Sequence, residues 1–156
     1  MITTSCEKCP RVAALQYAGD SPNLRKADEM PHETIRETTG LYQKFHGVVT
    51  SPELFNSVVA IHNDPGFAAL EYVIKDYLEV EVFDVGLKTL IDGHALNLGV
   101  QRKNARLIVA VVTTDPNIIE PSLIATSYRL DSYPREIFAT VAEARQWIAR
   151  RLEVPV

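Results

Sequence analysis

Cysteine is almost absent from this chain: only Cys6 and Cys9 occur among its 156 residues. A disulfide between such close neighbours could not staple a domain of this size, so the composition suits a reducing compartment. Long apolar runs are also missing, because no segment approaches the ~18 consecutive apolar residues of a membrane span. The first residues lack the basic-then-apolar pattern of a signal peptide. We therefore expect a cytoplasmic protein without a membrane span.

An excess of positive charge is missing as well. The formal net charge is -4 at pH 7, so no overall field draws the molecule to nucleic acid. The most basic patch, residues 101–106, has no interleaved aromatic side chains, which is typical of a solvated loop. We expect no nucleic-acid partner.

The motifs of common catalytic and cofactor sites are absent too. No serine stands in a Gly-x-Ser-x-Gly context, and no glycines have the Gly-x-Gly-x-x-Gly spacing of a phosphate-binding loop. The 4 histidines show none of the i, i+4 pairing that is typical of zinc enzymes. The sequence therefore predicts a protein that is not an enzyme and carries no cofactor.

Residues 1–30 differ from the rest of the chain. They hold both cysteines and show no sustained amphipathic period. Such a segment cannot bury much apolar surface alone, so we expect a loosely ordered extension. Met30 stands at its end, and a natural start there is one interpretation. Residues 31–156 then predict a single domain, large enough to bury its own core.

Strand and helix patterns alternate from residue 33 onward. Apolar runs predict strands at 33–38, 41–49, 70–77, 106–113 and 135–139. Apolar residues at helical spacing predict helices that begin near 51, 87, 118 and 140, with Pro121 delaying the third helix and Gly99 ending the second. The prediction is an α/β fold with a mixed, mostly parallel sheet of four or five strands and about four helices. The predicted order is β-β-α-β-α-β-α-β-α.

We expect the functional site within residues 72–90. The pattern there predicts a strand that ends near Asp76, an acidic turn at 78–82, and Asp84 as the N-cap of the second helix. In an α/β protein, the carboxyl end of a strand and the following helix start form the usual functional edge. The candidate partner- or ligand-binding residues are Asp76, Phe83, Asp84, Val85, Gly86 and Leu87.

Four segments, taken in order, carry a family resemblance. They read FHGVVT at 45–50, VIKDY at 73–77, FDVGL at 83–87 and IFATVAEARQWI at 137–148. Together they resemble the SpoIIAA-like, or STAS-like, superfamily over about residues 33–152, and the last is similar to the F-x-T/S-x-x-E-A-x-x-W-I/L ending of small bacterial members. The resemblance implies a sheet with helices packed beside it, and a regulatory or binding role in place of catalysis.

The chain departs from that superfamily at one position. In its anti-sigma-factor antagonists, an Asp-Ser-Ser/Thr-Gly type turn carries the hydroxyl group that a kinase phosphorylates. The matching residues here are Asp84, Val85 and Gly86, and a valine cannot accept phosphate. The next hydroxyl group, that of Thr89, is expected inside the helix. We therefore predict a protein partner bound at this edge without a phosphorylation switch.

A small apolar ligand is a second interpretation, with Leu123, Ile124 and Tyr128 of the third helix as its neighbours between helices and sheet. A metal-assisted enzyme is a third, and it would use Asp76, Asp84 and His94. Because His94 follows Asp84 by more than two helical turns, about 15 Å separates them, which argues against a shared site.

Two further features have simple alternatives. Cys6 and Cys9 form half of a zinc site, which His32 or His46 would have to complete, and a surface pair without a role is the simpler interpretation. The first strand lies at an edge of the predicted sheet, where it could pair with a second copy of the chain to form a homodimer.

Overall fold

The elements follow one another in the predicted order in the computed structural model, which describes residues 31–128 and 133–153. The strands are β1 (His32–Arg36), β2 (Gly40–Thr50), β3 (Tyr72–Asp84), β4 (Ile108–Val112) and β5 (Arg135–Phe138). The helices are α1 (Ser51–His62), α2 (Leu87–Val100), α3 (Pro116–Ser127) and α4 (Val141–Glu153), with short 3-10 helices at Phe67–Ala69 and Gln101–Lys103. The predicted extension at residues 1–30 lies outside the described residues.

The strands form one mixed sheet in the spatial order β1-β2-β3-β4-β5. β1 pairs antiparallel with β2, and every later neighbour pair is parallel. Parallel neighbours need crossover connections, and the right-handed preference of such crossovers puts the three connecting helices on the same face when strands follow in sequence order. Helix α4 follows the last strand and packs on the other face against β3, β4 and β5.

Each face of the sheet buries its own cluster of side chains. Under α1–α3, the largest fully buried side chains include Phe45, Val73 and Ile118. Under α4, Ile74 and Val112 pack against the helix residues Ala144, Trp147 and Ile148. All five residues of β4 are buried, as the predicted coverage of both its faces requires.

Helix boundaries provide one confirmed prediction and two wrong ones. The Thr140–Glu143 capping box of α4 is confirmed, since each residue's backbone N–H bonds the other's side chain at 3.2 Å. Pro121 does not delay α3, because Asp115 caps the helix by accepting from the Asn117 N–H at 2.9 Å and Pro116 starts it. Gly99 does not end α2, which continues to Val100.

The third strand is longer than predicted, because residues 78–82 continue it and form no turn. β3 pairs with β2 as far as Asp84, and two register shifts give β3 one extra residue each, after Asp76 and after Val80. Gly47 lies beside these bulges with φ 64, in the left-handed region that favours glycine. The bulges turn the later half of β3 so that Val80 and Phe83 pack on the α1–α3 side.

Candidate functional site

The predicted edge lies where β2 and β3 end side by side and two helices begin. Thr50 pairs with Asp84 as the last residues of their strands. Gly86 is the N-cap of α2, and its N–H donates a 3.0 Å hydrogen bond to Oγ of Ser51, the first residue of α1. This bond ties the two helix starts together. We call residues 82–87 the β3–α2 edge.

Two details of the predicted edge are wrong. Asp84 does not cap α2: it is the exposed last residue of β3, and the N-cap position belongs to Gly86. The acidic segment is strand, because its alternating glutamate and valine residues pair with β2. Such alternation is itself a strand pattern.

Asp76 lies away from the edge and has a structural role. Its side chain is 4% exposed, accepts a 2.5 Å hydrogen bond from the Tyr42 hydroxyl group and also accepts from the Leu78 N–H at 2.9 Å. Asp84 follows Asp76 by eight residues, about 26 Å along the strand, so the two carboxylates do not meet. The metal-assisted site that would use both carboxylates is therefore not assembled.

The edge presents a mixture of apolar and acidic side chains. Phe83, Val85 and Leu87 are half-buried, and the first two pack on the core. Val82 is 51% exposed, and Leu78 nearby is 46% exposed. The sequence prediction missed the last two because it placed them in a turn, although the alternation of the segment would have assigned them to an exposed strand face.

The later half of β3 lacks a strand on its other side. β4 ends at Val112, opposite Asp76, so residues 77–84 pair with β2 alone within the described part of the chain. The exposed side chains of Leu78 and Val82 therefore stand on a stretch with an open strand edge.

A second candidate site is a cavity of about 60 Å³ between the sheet and helices α1–α3. Its walls are mainly aliphatic and aromatic side chains, among them Leu54, Val73 and Phe83. Phe83 therefore belongs to both the β3–α2 edge and the cavity wall. The polar side chains that line it include Lys75, Tyr77, His94, Ser122, Tyr133 and Arg135.

Lys75 is the unusual residue of this cavity. It is 6% exposed, and its Nζ lies 5.8 Å from the centroid of the Phe45 ring. Among the described residues it has no hydrogen bond or ion pair. Burial, reinforced by the charge of Arg135, lowers the pKa of the Lys75 amine from 10.5 to about 7. An amine of this kind can hold an anion or act as a base or nucleophile near neutral pH.

The histidine and tyrosine side chains around Lys75 are held in their neutral forms. Burial, with the positive charges of Arg135 and Lys75, lowers the pKa of His94 to about 4. Burial also raises the pKa of the Tyr77 and Tyr133 hydroxyl groups. The Tyr133 hydroxyl is buried and has no hydrogen-bond partner among the described residues. The cavity thus carries cationic and hydroxyl groups, and no described aspartate or glutamate lines it.

The sequence prediction missed Lys75, although a signal for it exists. Lysine is almost never fully buried, yet it stands here two residues from Val73 and from Tyr77, in a strand whose residues 73–77 are all buried. Strand alternation puts Lys75 on the same face as Val73 and Tyr77. A lysine at a position that the strand pattern predicts to be buried indicates a candidate site.

The other predicted ligand and metal residues do not gather. Leu123, Ile124 and Tyr128 are exposed by 57%, 48% and 57%, and none of them lines the cavity. Within residues 31–128 and 133–153, no three His, Cys, Asp or Glu side chains are grouped as metal ligands would be. Cys6 and Cys9 lie outside the described residues. No helix in the described part of the chain has the length and apolar character needed to cross a membrane.

Comparison with known proteins gives structural neighbours alone. No family model and no curated protein match the chain. An anti-sigma factor antagonist from Mycobacterium paratuberculosis is similar in structure, with a TM-score of 0.55, 17% sequence identity, and coverage of 81% of this chain and 99% of that one. The anti-sigma factor antagonist SpoIIAA in its unphosphorylated form gives a TM-score of 0.49, 12% identity, and coverage of 79% and 99%.

The likeness to the mycobacterial protein establishes the fold. The mixed five-stranded sheet with four helices is the STAS-like α/β fold that the four sequence segments predicted. At 17% identity the likeness extends to architecture and no further. Function must therefore be argued from the edge and the cavity themselves.

Proposed function

We propose that this chain is a non-enzymatic regulatory domain that binds a protein partner through the β3–α2 edge, with Phe83, Asp84, Val85, Gly86 and Leu87 in the contact. Asp76, which the sequence prediction included, supports β3 from the other face and stays outside the contact. The observation that carries the proposal is the exposed apolar side chain of Val82, which stands beside the half-buried side chains of Phe83, Val85 and Leu87. These residues lie at the end of β3, next to the two helix starts that the Gly86–Ser51 hydrogen bond joins. Apolar groups on a rigid edge favour binding because their side chains and backbone lose little conformational entropy when a partner binds.

The fold likeness supports a protein partner. The mycobacterial neighbour is named an anti-sigma factor antagonist, which acts on another protein. The charges of the edge suggest what its partner would present. Glu81 and Asp84 are exposed on either side of Val82 and Phe83, so a partner with basic side chains around an apolar centre would complement it.

We expect no phosphorylation switch at this edge. Val85 stands at the position before the α2 N-cap and has no hydroxyl group. Thr89 lies inside α2, as the sequence predicted. Its side chain lines the cavity. The Ser51 hydroxyl group already accepts a bond from Gly86 and lies at the junction of two helices.

Site-specific photo-crosslinking tests the proposal. A photo-reactive phenylalanine analogue replaces Val82 in one variant and Leu98 in a control variant. Both residues are apolar and similarly exposed, at 51% and 49%, but Leu98 lies near the far end of α2. In cells of the native host, we expect the Val82 variant to crosslink to one protein and the Leu98 variant to leave it uncaptured.

The captured protein is then purified and titrated against site variants. Val82→Glu and Leu87→Ala should each weaken its affinity at least tenfold, the effect of losing about 1.4 kcal/mol. Leu98→Ala should leave the affinity unchanged, and added salt should weaken binding to the unaltered domain. Equal capture from both positions, or affinity that survives both edge substitutions, would refute the site.

A small-ligand carrier or sensor is the second candidate, and the cavity around Lys75 favours it. The ligand would differ from the apolar molecule predicted from the sequence. A purely apolar molecule would leave the Lys75 amine and the Tyr133 hydroxyl group without partners.

A further inference from the structure

The cavity beneath α1–α3 combines features that a folded core ordinarily avoids. Lys75 is 6% exposed and has no hydrogen bond or ion pair among the described residues, and the Tyr133 hydroxyl group is buried there without a hydrogen-bond partner among them. Buried polar groups normally have a hydrogen-bond partner, since a group left without one loses its hydration and gains no hydrogen bond in return. Here both groups line empty space of about 60 Å³. A bound molecule would supply what each of them lacks.

We propose that this cavity binds a short-chain monocarboxylate, whose carboxylate group pairs with the Lys75 ammonium group and accepts a hydrogen bond from the Tyr133 hydroxyl group. This inference is independent of the partner-binding function proposed above, and either can fail without the other.

Three properties of the cavity define the chemical class of the ligand. Its charged lining residues among those described, Lys75 and Arg135, are both cationic, so an anion is favoured. Its other walls are mainly apolar, which suits a single charge joined to a hydrocarbon chain better than a fully polar ion such as phosphate. At about 15 Å³ for each water-sized group, the space holds about four such groups, which is the size of acetate or propionate.

The apolar walls stand where the chain of the ligand would lie. Leu54 and Ile61 come from α1, Leu90 from α2, and Val109 and Val111 from the sheet. Four of these five residues, all except Leu90, are buried core residues. A two- or three-carbon chain placed among them would fill space that now lacks contacts.

The pH dependence of binding follows from the groups that face Lys75. The other titratable residues that line the cavity are His62 from α1, His94 from α2, Tyr77 from β3, and Tyr133 and Arg135 beside and within β5. Burial lowers the pKa of both histidines, and it raises the pKa of both tyrosines. Arginine keeps its charge throughout. Between pH 7 and 9, Lys75 is therefore the group of this set that changes charge.

An anion that needs the charged amine should lose affinity as that amine becomes neutral. With a pKa of about 7 for Lys75, the binding-competent fraction falls from about one half at pH 7 to about one hundredth at pH 9. The apparent affinity for the carboxylate should therefore fall about fiftyfold over this range.

Propionate is the test ligand, and propionamide, which has the same shape without the charge, is its control. Titration into the full chain in carboxylate-free buffer is followed by two-dimensional NMR and calorimetry. We expect saturable binding of propionate with a dissociation constant in the millimolar range or tighter, and resonance changes centred on Lys75, His94 and Tyr133. We expect no saturable binding of propionamide at the same concentrations.

Two variants make the test specific. Lys75→Met keeps the length of the side chain, removes its charge and should abolish propionate binding. Lys103→Met removes an exposed lysine outside the cavity and should bind propionate as the unaltered chain does. Tyr133→Phe, which deletes only the hydroxyl group, should weaken binding severalfold. Propionate binding that persists in Lys75→Met, equals that of propionamide, or fails to saturate in the millimolar range would overturn the proposal.

Discussion

Replacing Lys75 by methionine should make the protein more stable at neutral pH. Lys75 is 6% exposed, and its amine lies near the Phe45 ring with no anion beside it among the described residues. Methionine has a similar length and fills the same space without a charge to desolvate. The free energy of unfolding should therefore rise, in contrast to most substitutions of buried residues.

The magnitude follows from proton linkage. The pKa of the Lys75 amine is 10.5 in the unfolded chain and about 7 in the folded one. Between these values the unfolded chain binds the proton and the folded chain does not, so stability rises with pH through this window. At about 1.4 kcal/mol for each pH unit, the charge destabilises the folded state by about 5 kcal/mol at low pH, about 4 at pH 7 and about 2 at pH 9.

Urea unfolding, followed by the fluorescence of Trp147, measures both effects. This is the sole tryptophan, and it is 6% exposed under α4. At pH 7 we expect Lys75→Met to gain up to about 4 kcal/mol. From pH 7 to 9 the unaltered protein should gain about 2 kcal/mol relative to the variant.

The exposed-lysine variant Lys103→Met is the control and should follow the unaltered protein at both pH values. A Lys75→Met variant that is no more stable at pH 7, with an unchanged pH slope, would refute the burial of a charged amine. The measurements require carboxylate-free buffer, because a bound anion would stabilise the unaltered protein by mass action.

Four further substitutions test other parts of the structure by the same unfolding assay. His94→Gln should lose less stability than the unaltered protein as pH falls from 6.5 to 4, by up to about 3 kcal/mol, because burial holds the folded pKa of His94 at about 4 and the unfolded chain takes up the proton first. Gly47→Ala should cost about 1 to 2 kcal/mol at its positive φ, whereas Gly99→Ala in open space within α2 should gain about 0.5 to 1. Asn104→Ala should cost about 2 to 3 kcal/mol, because the Asn104 side chain donates 2.7 Å hydrogen bonds to two backbone carbonyl groups.

The order of elements could be predicted because each one carries a local signal. The apolar run of β4 and the capping box of α4 depend on neighbouring residues alone, and both were predicted. The errors arose where two local signals compete. At α3, the cap at Asp115 and the proline at 116 start the helix, and burial of Ile118 and Ala125 outweighs the lost hydrogen bond of Pro121.

The end of β3 shows a competition between charge and periodicity. Glu79 and Glu81 gave the segment the composition of a turn, while the alternation with Val80 and Val82 has the period of a strand. Pairing with β2 decides the outcome, and the bulges that accommodate the extra residues depend on the partner strand. The sequence of β3 alone therefore could not predict this pairing, because the partner strand β2 lies elsewhere in the chain.

The cavity could be predicted only in part. The burial of Lys75 follows from its position in a covered strand, so the sequence already marks it as unusual. The cavity that Lys75 lines is formed by α1, α2, α3 and the sheet together. The residues that these elements contribute lie far apart in the chain. Which side chains meet there depends on how three helices pack, and local patterns carry no information on the gap that remains.

Phe83 gives the two candidate sites a physical connection, since it belongs to the β3–α2 edge and also lines the cavity. An anion in the cavity would contact residues of α2, including Leu90, while a partner at the edge would contact the start of the same helix. If ligand binding favours one position of that helix start, it changes the partner's affinity, and linkage requires the partner to change the ligand's affinity by the same factor. The measurement is partner affinity with and without saturating propionate, with Lys75→Met as the variant that should no longer respond. Equal affinities in the unaltered domain would show that the two sites act independently.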